Sequence, residues 1–368
     1  MTFLLRLTLT NFRNYKRLVW SPESQKTVVY GANASGKTNL LEALSLLVPG
    51  RGLRKSRVDD FAMTGRQNQG WGVVGQFSHP IMDDFEIATG GVANSNKKQF
   101  RLNGLPVRSQ HEISQYLSAV WLTPQMDRLF SENAGGRRRF LDRLIISLEH
   151  FHTKEVFAYE KSMSQRNKLL ALNNFDPDWL NAIEESMARH AVAITATRNL
   201  FIQQMNEMMI VEGNFPEALL KLHCSIADHL SKEPALVVED FLRQQWKKDR
   251  VLDAEHKSTQ FGVHRTDVLF IEKKTQIPAN LASTGQQKAL LIGIILKLTE
   301  LIKSQNINLP ILLLDEPLVH LDENHRKTLL ATLLNLESFT ILTGTDRASF
   351  EQCAGKAEFL EINHGNIV

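Results

Sequence analysis

The chain has 368 residues, 43% of them hydrophobic and 23% charged, with a formal net charge of +3. This length exceeds what one hydrophobic core usually organises, so two units are expected, while the ordinary apolar share excludes a disordered or fibrous chain. The mild positive charge permits contact with nucleic acid without demanding it, and Cys224 and Cys353, far apart with no metal-ligand spacing, exclude a disulfide framework and a zinc site.

The N-terminal residues carry no secretory-leader pattern and no apolar run reaches the length of a membrane span, so a cytoplasmic protein without a membrane partner is expected. Residues 1–50 read as strand, turn, strand, loop and helix. Leu5, Leu7 and Leu9 alternate with Arg6, Thr8 and Thr10, the pattern of a half-buried strand. The apolar run Thr27-Val28-Val29-Tyr30 leads into Gly31-Ala32-Asn33-Ala34-Ser35-Gly36-Lys37-Thr38, and helix-like Asn39–Leu44 follows. That octapeptide is G-x-x-x-x-G-K-[ST] in the strand–loop–helix setting a phosphate-binding loop requires. Its glycines let successive backbone N–H groups face one anion, with the positive end of the next helix behind them. Lys37 is suited to the β- and γ-phosphates of ATP, and the Thr38 hydroxyl to Mg²⁺.

Between 70 and 107, short apolar runs broken by Gly90-Gly91 and Asn103-Gly104 predict hairpins. Phe140, Leu141, Leu144, Ile145 and Leu148 then recur at helical spacing, and the rhythm continues through Met187, Ala191, Ile194 and Phe201 to about Leu242. A helical arm over 124–255 is therefore expected, inserted between an N-terminal head segment (1–123) and a C-terminal one (256–368). Strand texture returns at Val268–Ile271 and at Ile311–Leu314, with a helical stretch between. Ile311-Leu312-Leu313-Leu314 reads as a fully buried strand of a parallel sheet, ending in Asp315 and Glu316. Acids at the carboxyl end of such a strand sit where ligands of open α/β sheets collect. Asp315 is suited to holding Mg²⁺ through water, and Glu316 to orienting or deprotonating an attacking water.

Ser283-Thr284-Gly285-Gln286-Gln287 stands before the helix that starts near Lys288 and resembles the L-S-G-G-Q signature of ABC-type ATPases, with Thr284 in place of a glycine. A serine hydroxyl and free N–H groups at a helix start make a second anion site. In the ABC class this site faces the nucleotide held by a second copy, so Ser283, Gly285 and Gln286 are expected to bind ATP across a head-to-head dimer. His320-Leu321-Asp322 resembles the D-loop lining the same interface. No histidine follows Phe339–Leu342, where ABC transporters keep a switch residue; Thr343 and Thr345 stand there, and slow hydrolysis is expected.

Over essentially its whole length the chain resembles the RecF family of bacterial recombinational repair proteins. The resemblance is carried by Asn11-Phe12-Arg13-Asn14-Tyr15, by Pro124-Gln125 with Arg137-Arg138-Arg139-Phe140-Leu141-Asp142, by Gly262-Val263-His264-Arg265-Thr266-Asp267, and by Leu314-Asp315-Glu316 through His320-Leu321-Asp322. Departures are Val263 for a proline, Glu132-Asn133-Ala134 for a G-x-P turn, and Val319 for a small residue. The resemblance implies an ABC-type phosphate-loop ATPase head, α/β with a mixed sheet flanked by helices. It implies that Arg13 and Asn14 approach the nucleotide and that Gln125 senses the metal. It further implies an ATP-dependent homodimer that binds DNA at gaps or single-strand/double-strand junctions and helps RecO- and RecR-like proteins load recombinase. The residues alone reach an ATP-switched dimer, with a non-hydrolysing scaffold and a transporter ATPase subunit as alternatives. Three basic clusters (Arg51, Arg54, Lys55, Arg57; Arg137–Arg139 and Arg143; Lys247, Lys248, Arg250) are open to either phosphate contact or internal pairing. His264 and Arg265 are open to either the active site or a structural task.

Overall fold

A computed structural model of the chain describes residues 2–79, 83–92, 97–172, 176–208, 215–305 and 309–368. Strands β1 (Phe3–Phe12) and β2 (Tyr15–Trp20) form a hairpin, and β3 (Lys26–Tyr30) leads through the glycine-rich loop into helix α1 (Lys37–Ser45). The alternation expected at the start of β1 slips by one residue, because Leu4 is fully buried and Leu5 is 38% exposed. The cause is a register shift between Leu4 and Arg6 where β1 pairs with residues 71–78. Such a bulge reverses the in–out phase on one side of it.

Next come β4 (Trp71–Ser78), β5 (Phe85–Gly91), β6 (Gln99–Leu102) and β7 (Leu105–Pro106), each antiparallel to the one before. Asn103 and Gly104 both have positive φ (49° and 78°), as a two-residue hairpin turn requires. Gly90-Gly91 makes no break and lies inside β5. A Cβ on Gly90 would stand 2.6 Å from the Trp71 carbonyl oxygen, and one on Gly91 2.7 Å from the Trp71 indole nitrogen, so these glycines admit the close approach of Trp71. Helix α2 (Gln110–Ser114), strand β8 (Ala119–Leu122) and a 3₁₀ turn over Pro124–Ser131 follow.

The central part of the chain holds α3 (Ala134–Ile146), α4 (His152–Leu170), α5 (Pro177–Glu207), β9 (Ala218–His223), α6 (Ser225–Leu230), α7 (Ala235–Lys248), α8 (Arg250–Glu255) and β10 (Asp267–Glu272). Caps fix the helix starts: Asn133 accepts from the Gly136 N–H, and Asp176 from the N–H of Asp178 ahead of α5, with Pro177 in its first turn. Tyr159, Leu180, Met187, Ala191, Val238, Leu242 and Trp246 form one apolar core. The last segment adds α9 (Thr284–Ser304), β11 (Ile311–Leu314), α10 (Glu323–Asn335), β12 (Thr340–Gly344), β13 (Glu358–Asn363) and β14 (Asn366–Ile367).

Three sheets result: an antiparallel one of order β2-β1-β4-β5-β6-β7, a mixed one of order β14-β13-β3-β12-β11-β8, and the ribbon β9-β10. In the mixed sheet β13, β3, β12, β11 and β8 are all parallel, and only β14 runs against its neighbour. A single core, with Leu40, Leu41 and Leu44 of α1 in it, joins the two six-stranded sheets. This is the α/β head with a mixed sheet that the sequence predicts.

The chain divides into two compact units, one of Met1–Asp127, Ile210–Pro216 and Ser283–Val368, the other of Arg128–Met209 and Glu217–Ala282. The expected return to the head at 256 is corrected to 283. Val268–Ile271, read as a head strand, pairs antiparallel with β9 from Leu222 to Leu219, so the arm carries a β ribbon as well as helices. Among the described residues no helix is long and apolar enough to cross a membrane.

Two family motifs meet inside the arm. Arg137 forks onto Asp267 with N–H donors 2.8 Å from each carboxylate oxygen, and Arg198 does the same to Asp142, also at 2.8 Å. Arg138 donates to the Thr266 carbonyl at 2.9 Å. His264 Nε2 lies 2.8 Å from the Thr259 carbonyl oxygen and its Nδ1 2.8 Å from the Tyr159 hydroxyl. These residues hold the arm together, so the structural alternative for His264 is the one realised.

Burial holds His264 neutral by lowering its pKa to about 4, whereas an unfolded histidine titrates near 6.5. Between those values the unfolded chain binds the extra proton, so arm stability should fall as pH drops from 6.5 to 4. The loss should be on the order of 3 kcal/mol. Denaturant melts at pH 7, 5 and 4 should show this loss, and His264→Gln should flatten it within that window. An unchanged slope in the variant would assign the acid sensitivity to other groups.

Candidate nucleotide site

Three parallel strands of the head, β3, β12 and β11, end at the same sheet edge and deliver the loop 31–36, Thr343 and Asp315-Glu316 there. The loop is shaped by backbone that excludes side chains. Gly31 has φ of 147°, and a Cβ on it would lie 2.3 Å from the Ile362 carbonyl oxygen. Gly36 has φ of 122°, and its Cβ would lie 2.5 Å from the Asn14 amide nitrogen and 2.9 Å from the Tyr15 hydroxyl. No side chain caps the start of α1, so its first N–H groups remain for a ligand, the condition for anion binding at a helix start.

Asn14 and Tyr15 buttress this loop. The Asn14 amide donates to the Ser35 carbonyl at 3.0 Å and accepts from the Asn39 amide at 2.8 Å, and the Tyr15 hydroxyl donates to the Gly36 carbonyl at 3.0 Å. Arg13, expected beside the nucleotide, is hydrogen-bonded to groups of the head in this structure. Its guanidinium forks onto the buried Glu42 at 2.8 and 2.9 Å and also donates to Ser56 Oγ at 2.6 Å and the Asp60 carbonyl at 2.7 Å. Tyr15 and Glu42 have no individual role that the sequence predicts; their tasks are recognisable only in three dimensions.

Lys37 is 5% exposed. Its ammonium donates to the carbonyls of Gly31 and Ala32 at 2.7 and 2.8 Å, curled over the loop that its own chain forms. Burial lowers its pKa, with Glu316 and Asp315 acting the other way. The centre of the site is one carboxylate oxygen: Asp315 Oδ1 accepts from Thr38 Oγ1 at 3.0 Å and from Thr343 Oγ1 at 2.8 Å. Thr343 Oγ1 in turn accepts from the Glu316 N–H at 2.9 Å. A carboxylate against a threonine hydroxyl is the hard-oxygen pair that suits Mg²⁺. Glu316 has φ of 48°, unusual for a residue with a side chain, and lines a cavity of about 190 Å³ with Arg326, Thr343 and Thr345.

Ser283 caps α9 reciprocally: the Gln286 N–H donates to its Oγ at 3.4 Å, and its own N–H donates to Gln286 Oε1 at 2.9 Å. Ser283, Thr284 and Gln286 are exposed, so this helix start is open to a second molecule. A Cβ on Gly285 would lie 2.9 Å from the His320 carbonyl oxygen, which accounts for glycine there. Asp322 caps α10 through the His325 N–H at 2.9 Å. Gln125 is exposed in the 3₁₀ turn after β8, the strand beside β11. Lys288, to which the sequence assigns no role, is fully buried and donates to the Glu316 carbonyl at 2.9 Å; its place directly after the signature was the available signal.

The basic clusters separate. Arg250 pairs with Glu184, and burial pushes Arg143 down to about 9, alongside the paired Arg137 and Arg138. On the head, Arg51 and Arg57 line an open cavity of about 480 Å³ together with Lys98, Ser56 and Gln110.

Compared with known proteins, residues 3–364 match the model of the RecF/RecN/SMC N terminal domain. A DNA replication and repair protein RecF of Mesorhizobium japonicum is 39% identical, covering 100% of this chain and 97% of the relative. That of Rhizobium rhizogenes is 38% identical over 99% of this chain and 98% of the relative. Among solved structures, the recombination mediator protein RecF-ATP in the RecFOR pathway superposes with a TM-score of 0.83 at 25% identity, covering 100% of this chain and 99% of that one. An Smc head bound to the C-winged helix domain of ScpA shares the fold, with a TM-score of 0.53.

Thr343→Val keeps the shape of a buried side chain but strands the Glu316 N–H and leaves Asp315 Oδ1 with its bond from Thr38 alone. It should cost the head about 1–3 kcal/mol in chemical denaturation, and Thr343→Ser should recover most of that. Equal losses in the two variants would place the effect in packing rather than in the hydroxyl.

Proposed function

The chain belongs to the RecF family of DNA replication and repair proteins, and on that premise we propose that it is an ATP-switched clamp for DNA repair in the cytoplasm. ATP would be held by the loop Gly31–Thr38, with Lys37 swinging from the Gly31 and Ala32 carbonyls onto the phosphates. Thr38 and Asp315 would hold Mg²⁺, with Gln125 approaching it from the neighbouring strand. The metal, when bound, would neutralise charge on the triphosphate. Glu316 would orient the attacking water and make the protein a weak ATPase. The observation that carries this reading is the shared oxygen of Asp315, which brings the loop helix and the acidic strand into one hydrogen-bonded unit at the head's ligand edge.

The exposed signature at the start of α9 supports completion of the site by a second copy, with Ser283, Gly285 and Gln286 facing the partner's triphosphate. Closing two heads around ATP would create the surface that binds gapped or junction DNA. Arg51 and Arg57 offer phosphate-compatible donors around one cavity of the head. Partners resembling RecO and RecR would then read the closed state and load recombinase beside it.

Sedimentation with saturating ATP and magnesium should show a dimer for the unsubstituted chain and a monomer for Lys37→Arg. Glu316→Gln should keep the dimer and lower phosphate release roughly a hundredfold. A chain that stays monomeric with ATP, magnesium and gapped duplex would refute the clamp. Phosphate release that Glu316→Gln leaves untouched would remove this residue from the reaction.

A further inference from the structure

The peptide units of Glu316 are held on both sides. Its N–H donates to Thr343 Oγ1 at 2.9 Å, and its carbonyl accepts from Lys288 Nζ, also at 2.9 Å. With φ of 48° this backbone does not rest in a favoured conformation, so the position of its side chain depends on what grips it. One grip comes from the sheet. The other comes from α9, the helix that begins at the signature.

Lys288 lies five residues past Ser283 and is fully buried. Asp127 forms an ion pair with it, with Oδ2 at 3.7 Å and Oδ1 left without a hydrogen bond, and the carboxylates of Glu316 and Asp315 also favour its charge. Burial is nevertheless the largest influence on this ammonium and lowers its pKa, and a buried charge costs stability compared with an apolar side chain of similar size. The same helix start touches the same segment a second time, where Gly285 lies against the His320 carbonyl. Two contacts thus fasten the first turns of α9 to residues 316–320.

We propose that Lys288 is a positioning residue that ties the placement of the signature helix to the placement of Glu316 in the same chain. This rests on the head-to-head clamp proposed above. In that dimer a chain's signature meets the partner's triphosphate, while its Glu316 faces the triphosphate on its own loop. Lys288 therefore joins two different nucleotide sites. Docking of one signature draws the Glu316 carbonyl with it and sets the acid for the other ATP, so the two sites fire as a pair.

The test uses the full chain with Lys288→Met, the double variant Lys288→Met/Asp127→Asn, and Asp127→Asn alone. The double variant removes the carboxylate that Lys288→Met would leave unpaired, so it remains informative if the single variant melts early. Fluorescent-ATP affinity and ATPγS-driven dimerisation should stay within about twofold in all three. Turnover should fall roughly tenfold or more in both Lys288 variants, with KM unchanged, the scale expected when a reacting group is misplaced rather than removed. The ATP dimer should persist longer after dilution by the same factor, and a sigmoidal dependence of turnover on ATP should become hyperbolic. Asp127→Asn alone should keep normal turnover. Normal turnover and dimer lifetime in Lys288→Met would overturn the proposal, as would an equal loss in Asp127→Asn. If the unsubstituted chain does not dimerise with ATP, the clamp itself fails and takes this coupling with it; the variant results separate the two failures.

Discussion

One carboxylate oxygen, Asp315 Oδ1, ties together the carboxyl edge of the head's mixed sheet. It accepts from Thr38 at the start of α1 and from Thr343 at the end of β12, and so joins residues brought by three adjacent parallel strands. The register explains why they meet. Leu314 is opposite Leu342, and Leu342 is opposite Val28, so the residues just beyond each strand emerge together at one edge. Parallel pairing puts every carboxyl end on the same side, and an antiparallel arrangement of the same segments would scatter them. The loop, the acids and the threonine therefore follow from strand order as much as from their own identity.

Much of this was legible along the chain, for a physical reason. Glycines at positions 31 and 36, followed by Lys37 and Thr38, are demanded by a backbone that no other residues tolerate, and Ile311–Leu314 is apolar on both faces because its strand is covered on both sides. What the sequence hid lies in long-range pairing. The resemblance places Arg13 near the nucleotide but does not show that it pairs with a glutamate 29 residues away that α1 buries. Val268–Ile271 reads as a strand without saying which strand it joins, and Ala218–His223, with leucines at 219, 220 and 222, does not declare itself as the partner. Leu5 was misplaced because a bulge is set by the opposing strand, not by the alternation that it interrupts.

The family's motifs divide by task once the partners are known. Those at 31–38, 283–287 and 315–322 shape the ligand edge of the head and its exposed helix start. Those at 137–142 and 262–267 are clasps within the arm, where Arg137 meets Asp267 and Arg198 meets Asp142 through paired hydrogen bonds. Fixed fork geometry makes arginine the residue for such pairs, since lysine cannot reproduce two parallel bonds. Arg166 extends the principle: it is fully buried, yet its donors reach Glu184, Asp253, Thr259 and the Trp246 carbonyl. A charge so completely satisfied fixes one packing of the arm's helices, because any slip would leave the guanidinium or a carboxylate stranded.

Lys288 makes the opposite case. Its ammonium has one good acceptor, the Glu316 carbonyl, and a carboxylate beyond hydrogen-bonding distance. It sits in a helix whose residues from Gln287 through Thr299 are all buried. A helix packed on all sides moves as a body or not at all, since interiors this dense do not deform gradually. A push at its exposed first turn would therefore reach Lys288 undiminished, and from there a backbone already held in the left-handed region. Under the proposed clamp, Glu316 would be sensitive to such a displacement, because its backbone sits in a sparsely populated conformation held by bonds on both sides.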